Sequence, residues 1–156
     1  MRQAGYSMSK ASNKIKFGVL TKHTGYHIRR SYSTFIRMFA TNGKQFQLKS
    51  QQTSILILTS ENPGITPAAI ADAIEIERSL MAKLLTDLMK RNFIESKASS
   101  VDGRQKGLYI TAKGNTFIRQ VVEYFSQNLE VDLNRNLSER ERLTLIKLLQ
   151  KIYENR

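Results

Sequence analysis

Arg78, Ser79, Lys83 and Thr86 are threaded through a stretch whose apolar positions are Met81, Leu84, Leu85 and Leu88. At about 3.6 residues per turn the apolar set forms one stripe of a helix, leaving a face of cations, small residues and hydroxyls free. A guanidinium can pair bidentately with guanine, serine and threonine hydroxyls bond less selectively, and lysine meets phosphate. Leu80 would either touch a thymine methyl group or edge the core. Beyond this helix comes Asp102-Gly103-Arg104, with Lys106 close behind. Asp-Gly is a strong hairpin signal, because the tight turn that suits strand twist needs positive φ at its centre. Such a hairpin would carry Arg104 and Lys106 to a phosphate or a minor groove, while Asp102 and Gly103 shape the turn. The chemistry these residues offer is groove and backbone contact with double-stranded DNA.

The surrounding elements are mostly helices. Residues 1–15 hold serine, glycine and lysine without sustained periodicity and read as a flexible basic arm. From Phe17 to about residue 41, Leu20, Ile28, Tyr32, Phe35, Ile36 and Phe39 recur at helical spacing, with Asn42-Gly43 as the expected stop. A second helix is expected over Gln51 to Thr59. Thr66-Pro67 opens a short helix over Ala68 to Ile74, hydroxyl cap first and proline where no N–H is needed. Glu75-Ile76-Glu77 then turns into the Arg78 to Arg91 helix. Phe93 to Lys97 and Gln105 to Ile110 are the expected hairpin strands. Thr111 caps a long helix predicted to run to about Asn134, with Phe117, Val121, Val122, Tyr124, Phe125 and Leu129 as its apolar side. Ser138 and Glu141 form a capping-box pattern before Leu145, Ile146, Leu149 and Ile152.

The chain has 156 residues, 40% of them hydrophobic, and carries a formal charge of +12. Residues 1–60 contain ten Lys or Arg and no acid, the first being Glu61. So lopsided a charge favours a polyanionic partner, though RNA or acidic lipid would answer to it as well as DNA. There is no cysteine, which excludes disulfides, thiolate metal sites and thiol redox sensing. The run Ile55-Leu56-Ile57-Leu58 is far short of the roughly 20 apolar residues that span a bilayer, and no secretory signal is evident, so a cytoplasmic location is expected.

Taken together, these pieces resemble the MarR-type winged helix-turn-helix transcriptional regulators over roughly residues 17–154. The resemblance rests on Gly25-Tyr26-His27-Ile28-Arg29-Arg30, Gln52 to Leu56, Ile70 to Ile74, the Arg78-Ser79 helix start, and above all Asp102-x-Arg104 with Ile110-Thr111 and Lys113-Gly114 behind it. Three positions depart from the family pattern. Glu75 replaces the usual glycine between the helices, Glu77 replaces a better cap, and Asn92 replaces the glycine after the reading helix.

The resemblance implies a mainly α fold, a winged helix-turn-helix with a small β-hairpin wing and long N- and C-terminal dimerisation helices. The domain would span 16–156, with a DNA-binding lobe at about 48–111 and dimerisation helices at about 17–41 and 112–154. DNA contacts are expected from Thr66, Arg78, Ser79, Lys83, Thr86, Arg104 and Lys106. Tyr26, His27 and Arg30 would meet a small aromatic or carboxylate effector, as in some relatives.

His23 and His27 lie one helical turn apart, a spacing that holds zinc only if further ligands complete the sphere, and no acid lies nearby in sequence. No metal or other cofactor is expected. Catalysis is not expected either, since the chain has no cysteine nucleophile, no phosphate-binding glycine loop and no carboxylate pair beside a histidine. The reading is a homodimeric, sequence-specific regulator, a ligand-responsive repressor at an inverted-repeat operator. The alternative is an architectural or protein-contacting winged-helix module without operator specificity.

Overall fold

The computed structural model describes residues 15–98 and 106–154. The arm, apart from Ile15, and the hairpin tip with Asp102, Gly103 and Arg104 lie outside them. The chain divides into two compact units, Met1–Phe35 and Ile36–Arg156. Its elements in order are α1 (Thr24–Gly43), α2 (Ser50–Glu61), α3 (Pro67–Ala73), α4 (Arg78–Lys90), β1 (Ile94–Ala98), β2 (Lys106–Ile110), α5 (Ala112–Gln127), α6 (Leu129–Leu133) and α7 (Glu139–Tyr153). The fold is mainly α with one small antiparallel hairpin, as the sequence implies.

The core of the second unit is built on α2, α3, α4 and α5. Ile55, Leu56, Ile70, Leu88 and Val121 are completely buried, and Ile94 and Leu108 seal the hairpin against them. In the hairpin, Ile94 pairs with Ile110 and Ala98 with Lys106. The loop before α3 joins this ladder, Leu108 N–H donating to Ile65 at 2.9 Å and Gly64 N–H to Leu108 at 2.8 Å. A Cβ on Gly107 would stand 2.8 Å from the Gly64 carbonyl oxygen, so this close approach requires glycine.

Two predicted helices differ from the structure. The first begins at Thr24 rather than Phe17: Gly18 has φ +54 and His23 is extended, so Gly18–Lys22 forms only a 3-10 helix. Its other end falls at Asn42-Gly43 as expected, the Asn42 amide bonding back to the Met38 carbonyl and Gly43 packing against Phe39 and Phe125. A 3-10 turn over Lys44–Phe46 follows, and the chain turns at Gln47, φ +50. The helix predicted to reach Asn134 breaks at Asn128, φ −123 and ψ −64, whose side chain bonds back to Tyr124. Ile118 rather than the exposed Val122 belongs to its inward face.

Candidate nucleic-acid interface

Thr66 starts the helix pair as its hydroxyl suggested, accepting from Ala69 N–H at 3.2 Å with Pro67 in the first turn of α3. The turn into α4 forces Glu75 to φ +52, the region in which the family prefers glycine. Ile76 N–H then donates to Ala71 at 3.0 Å, closing α3, and Glu77 stands at the α4 N-cap without a side-chain bond. The first turn of α4 has no acid and carries the exposed Arg78, so its positive dipole end has a cation beside it. That combination favours an anion such as phosphate.

Met81, Leu84, Leu85 and Leu88 are all buried, as their spacing predicts. Directly opposite run Ser79, Lys83, Thr86 and Lys90, all exposed and separated by four, three and four residues. Lys90 is missing from the sequence-based set, although the same period extended by one turn finds it. Thr86 donates its hydroxyl proton to the Ala82 carbonyl at 2.9 Å, so its methyl group and oxygen lone pairs remain to offer. Arg78 lies to one side, on the wall of a crevice of about 330 Å³ between α4 and Pro67, Ala68 and Ala71 of α3. Leu80 lies toward the other side and is 36% exposed.

Behind α4, Asn92 takes φ +58, where glycine is usual and asparagine is tolerated. Thr111 ties the hairpin base to α5, its hydroxyl accepting from Gly114 N–H at 3.0 Å and donating to the Asn92 carbonyl at 2.8 Å. Lys106 is exposed at the start of β2, and Lys97 on β1 pairs with Glu95 at 2.6 Å beneath the Tyr109 ring.

Tyr26, His27 and Arg30 come together within the first unit. Arg30 donates to the Tyr26 hydroxyl at 3.1 Å, and its guanidinium lies 5.8 Å from the Tyr26 ring centre and 6.0 Å from that of Phe17. His27 meets Tyr26 edge to face, with Nε2 2.9 Å from the Thr21 carbonyl oxygen, so that nitrogen carries the proton. Phe17, which periodicity placed on a helix, is an aromatic wall of this cluster. Among the described residues no group of His, Asp or Glu is arranged to hold a metal ion, and no helix is long and apolar enough to cross a membrane.

The C-terminal elements leave much apolar surface uncovered. Leu145, Ile146, Leu149 and Ile152 are exposed, as are Val131, Leu133, Leu143 and Leu148, and α7 buries none of its residues within the chain.

Residues 46–105 match the family model described as the MarR family. A protein of Thauera aromatica named as a transcriptional regulatory protein for the hcr operon is 28% identical over 141 residues, 90% of this chain and 84% of that one. The repressor CouR bound to a 23-mer DNA duplex superposes with a TM-score of 0.85 at 26% identity, over 90% of this chain and 99% of its own. CouR bound to p-coumaroyl-CoA gives 0.83 at 25% identity, over 92% and 100%. These relatives act in transcription rather than catalysis. With its helix pair, hairpin and terminal helices, the chain is similar in sequence and fold to the winged-helix transcriptional regulators of the MarR family, whose model matches its residues 46–105.

Proposed function

We propose that the protein is a cytoplasmic homodimer that binds double-stranded DNA at an inverted-repeat operator and represses transcription until a small effector releases it. The observation that carries this reading is the exposed stripe Ser79, Lys83, Thr86 and Lys90 on α4, set opposite a fully buried one. Ser79 and Thr86 meet base edges, Lys83 and Lys90 meet phosphate, and Arg78 reaches a guanine or the backbone from the flank. Thr66 N-caps α3 and contributes from its start, while Arg104 and Lys106 act from the wing. CouR, the relative seen on a DNA duplex, supports the same use of the fold.

The residue 48–111 lobe carries these contacts, and the terminal helices pair two chains. The uncovered leucines and isoleucines of α6 and α7 favour a second copy, since burying apolar surface is what drives association. Two-fold symmetry then sets the reading helices about 34 Å apart, one turn of DNA. The effector is a small aromatic or carboxylate compound held by Tyr26, His27 and Arg30, the guanidinium taking its negative charge. The aromatic acyl thioester on CouR supports an aromatic acyl derivative. An effector preferring a dimer with mis-spaced reading heads lowers DNA affinity by its preference factor.

Selection from a pool of random duplexes tests the proposal. Recovery of an inverted repeat with half-sites one helical turn apart supports it; recovery of no shared sequence, with strong binding throughout, favours the architectural module.

A further inference from the structure

Lys90 and Arg91 are adjacent cations at the end of the reading helix, and charge alone would assign both to phosphate. The structure separates them. Lys90 points outward, whereas the Arg91 side chain is only 26% exposed and both arms of its guanidinium are used inside the fold. Nη1 donates to the Gln47 carbonyl at 2.8 Å and Nη2 to the Phe46 carbonyl at 2.9 Å. The guanidinium lies 4.7 Å from the Phe93 ring centre and 5.5 Å from that of Phe117. Asp87, one turn earlier, is 3.9 Å from Nη1 and accepts from the buried Gln52 amide at 2.7 Å. Lys113 of α5 donates to the Arg91 carbonyl at 2.9 Å.

We infer that Arg91 is a positioning residue, which sets the direction of α4 from its C-terminal end and does not touch DNA. The opposite end cannot do this as well, because Glu77 supplies no cap and Glu75 is held in the left-handed region. The fork of Arg91 fixes two carbonyls at a defined angle, a constraint that one ammonium group could not reproduce. Phe46 also meets Phe117, Tyr124 and Phe125, so the lock ties the reading helix to α5. A displacement of α5 therefore reaches α4 through Arg91.

This inference rests on the DNA-binding reading, and the test keeps the two apart. Wild type and the variants Lys90→Ala, Arg91→Gln and Arg91→Lys are titrated by fluorescence anisotropy across a salt series. The probes are the duplex wild type selects from a random pool and a scrambled duplex, and amide hydrogen exchange is followed on the free proteins. Lys90→Ala should weaken both complexes and reduce the salt slope by about one. Arg91→Gln should weaken the selected complex about tenfold, leave the scrambled complex and the salt slope at wild-type values, and speed exchange along α4. Arg91→Lys should fall between wild type and Arg91→Gln.

A salt slope lowered by one in Arg91→Gln would make Arg91 a phosphate contact and overturn the inference, as would undiminished discrimination between the duplexes. If Arg91→Gln does not fold, Arg91→Lys decides: reduced discrimination supports positioning, and wild-type discrimination overturns it. Wild type that selects no sequence refutes the operator reading instead. The lock is then judged by exchange alone, faster in α4 of Arg91→Gln if it holds and unchanged if it does not.

Discussion

Gly114 and Phe93 approach so closely that a Cβ on Gly114 would sit far inside van der Waals contact with the Phe93 carbonyl oxygen. The first turn of α5 thus lies against the root of the hairpin, and the Ile110 side chain would crowd the same Cβ at 2.9 Å. Gly114→Ala should destabilise the fold by about 1–3 kcal/mol, the usual range for overpacking. Gly25→Ala makes the comparison, since that helical position is open and alanine there should add about 0.5–1 kcal/mol. Thermal melts read both; equal midpoints would contradict the contact.

Glu75 holds φ +52 in the turn between α3 and α4. Glycine and alanine both remove its side chain, but only glycine adopts this conformation freely. Glu75→Gly should therefore be more stable than Glu75→Ala by about 1 kcal/mol, as measured by chemical denaturation.

Lys83 on the outward stripe and Arg104, between β1 and β2 in the sequence, should each act through phosphate. Alanine at either position should lower DNA affinity at physiological salt, reduce the salt slope by about one, and leave the melting temperature near wild type. The two losses of slope should add in the double variant, each contact releasing its own counterion.

Ser138 and Glu141 close a capping box on α7: Glu141 N–H bonds to the Ser138 hydroxyl oxygen at 3.4 Å, and the carboxylate accepts from Ser138 N–H at 2.8 Å. Hydrogen bonds from the Ser138 hydroxyl and backbone hold the Glu141 carboxyl below the usual carboxylate range, and the bond from Arg142 does the same for Glu139. A lowered carboxyl pKa contributes stability above the unfolded value and loses it as pH falls through the folded one. Ser138→Ala should therefore melt below wild type at neutral pH, and the gap should shrink on acidification through the carboxylate range.

Arg30 braces Tyr26, and under the proposed function its charge meets the effector's anion. Aromatic carboxylates or aromatic acyl thioesters should raise the melting temperature of wild type and release its DNA, with both responses weakened in Arg30→Ala. A panel that leaves wild-type melting and DNA binding unchanged would remove this effector class.

The sequence revealed what depends on local rules. The inward side chains of α4, the capping hydroxyls of Thr66, Thr111 and Ser138, and the left-handed Asn92 all follow from period and residue chemistry. Helix breaks were less visible, because apolar periodicity continues through His23 and Asn128 although the backbone does not. The inward turn of Arg91 was not legible, since its partners are carbonyls 44 and 45 residues away. The aromatic cluster around Arg30 was half legible: Tyr26, His27 and Arg30 share a helix, but Phe17 arrives through the left-handed Gly18.

Sequence-specific recognition of DNA can be measured by fluorescence anisotropy with a duplex from the region upstream of the protein's own gene and a scrambled duplex, each across a salt series. Binding to the upstream duplex should be tighter by roughly a thousandfold or more, with both affinities falling steeply as salt rises. Equal affinity for the two duplexes, repeated with the sequence recovered from the random pool, would contradict it.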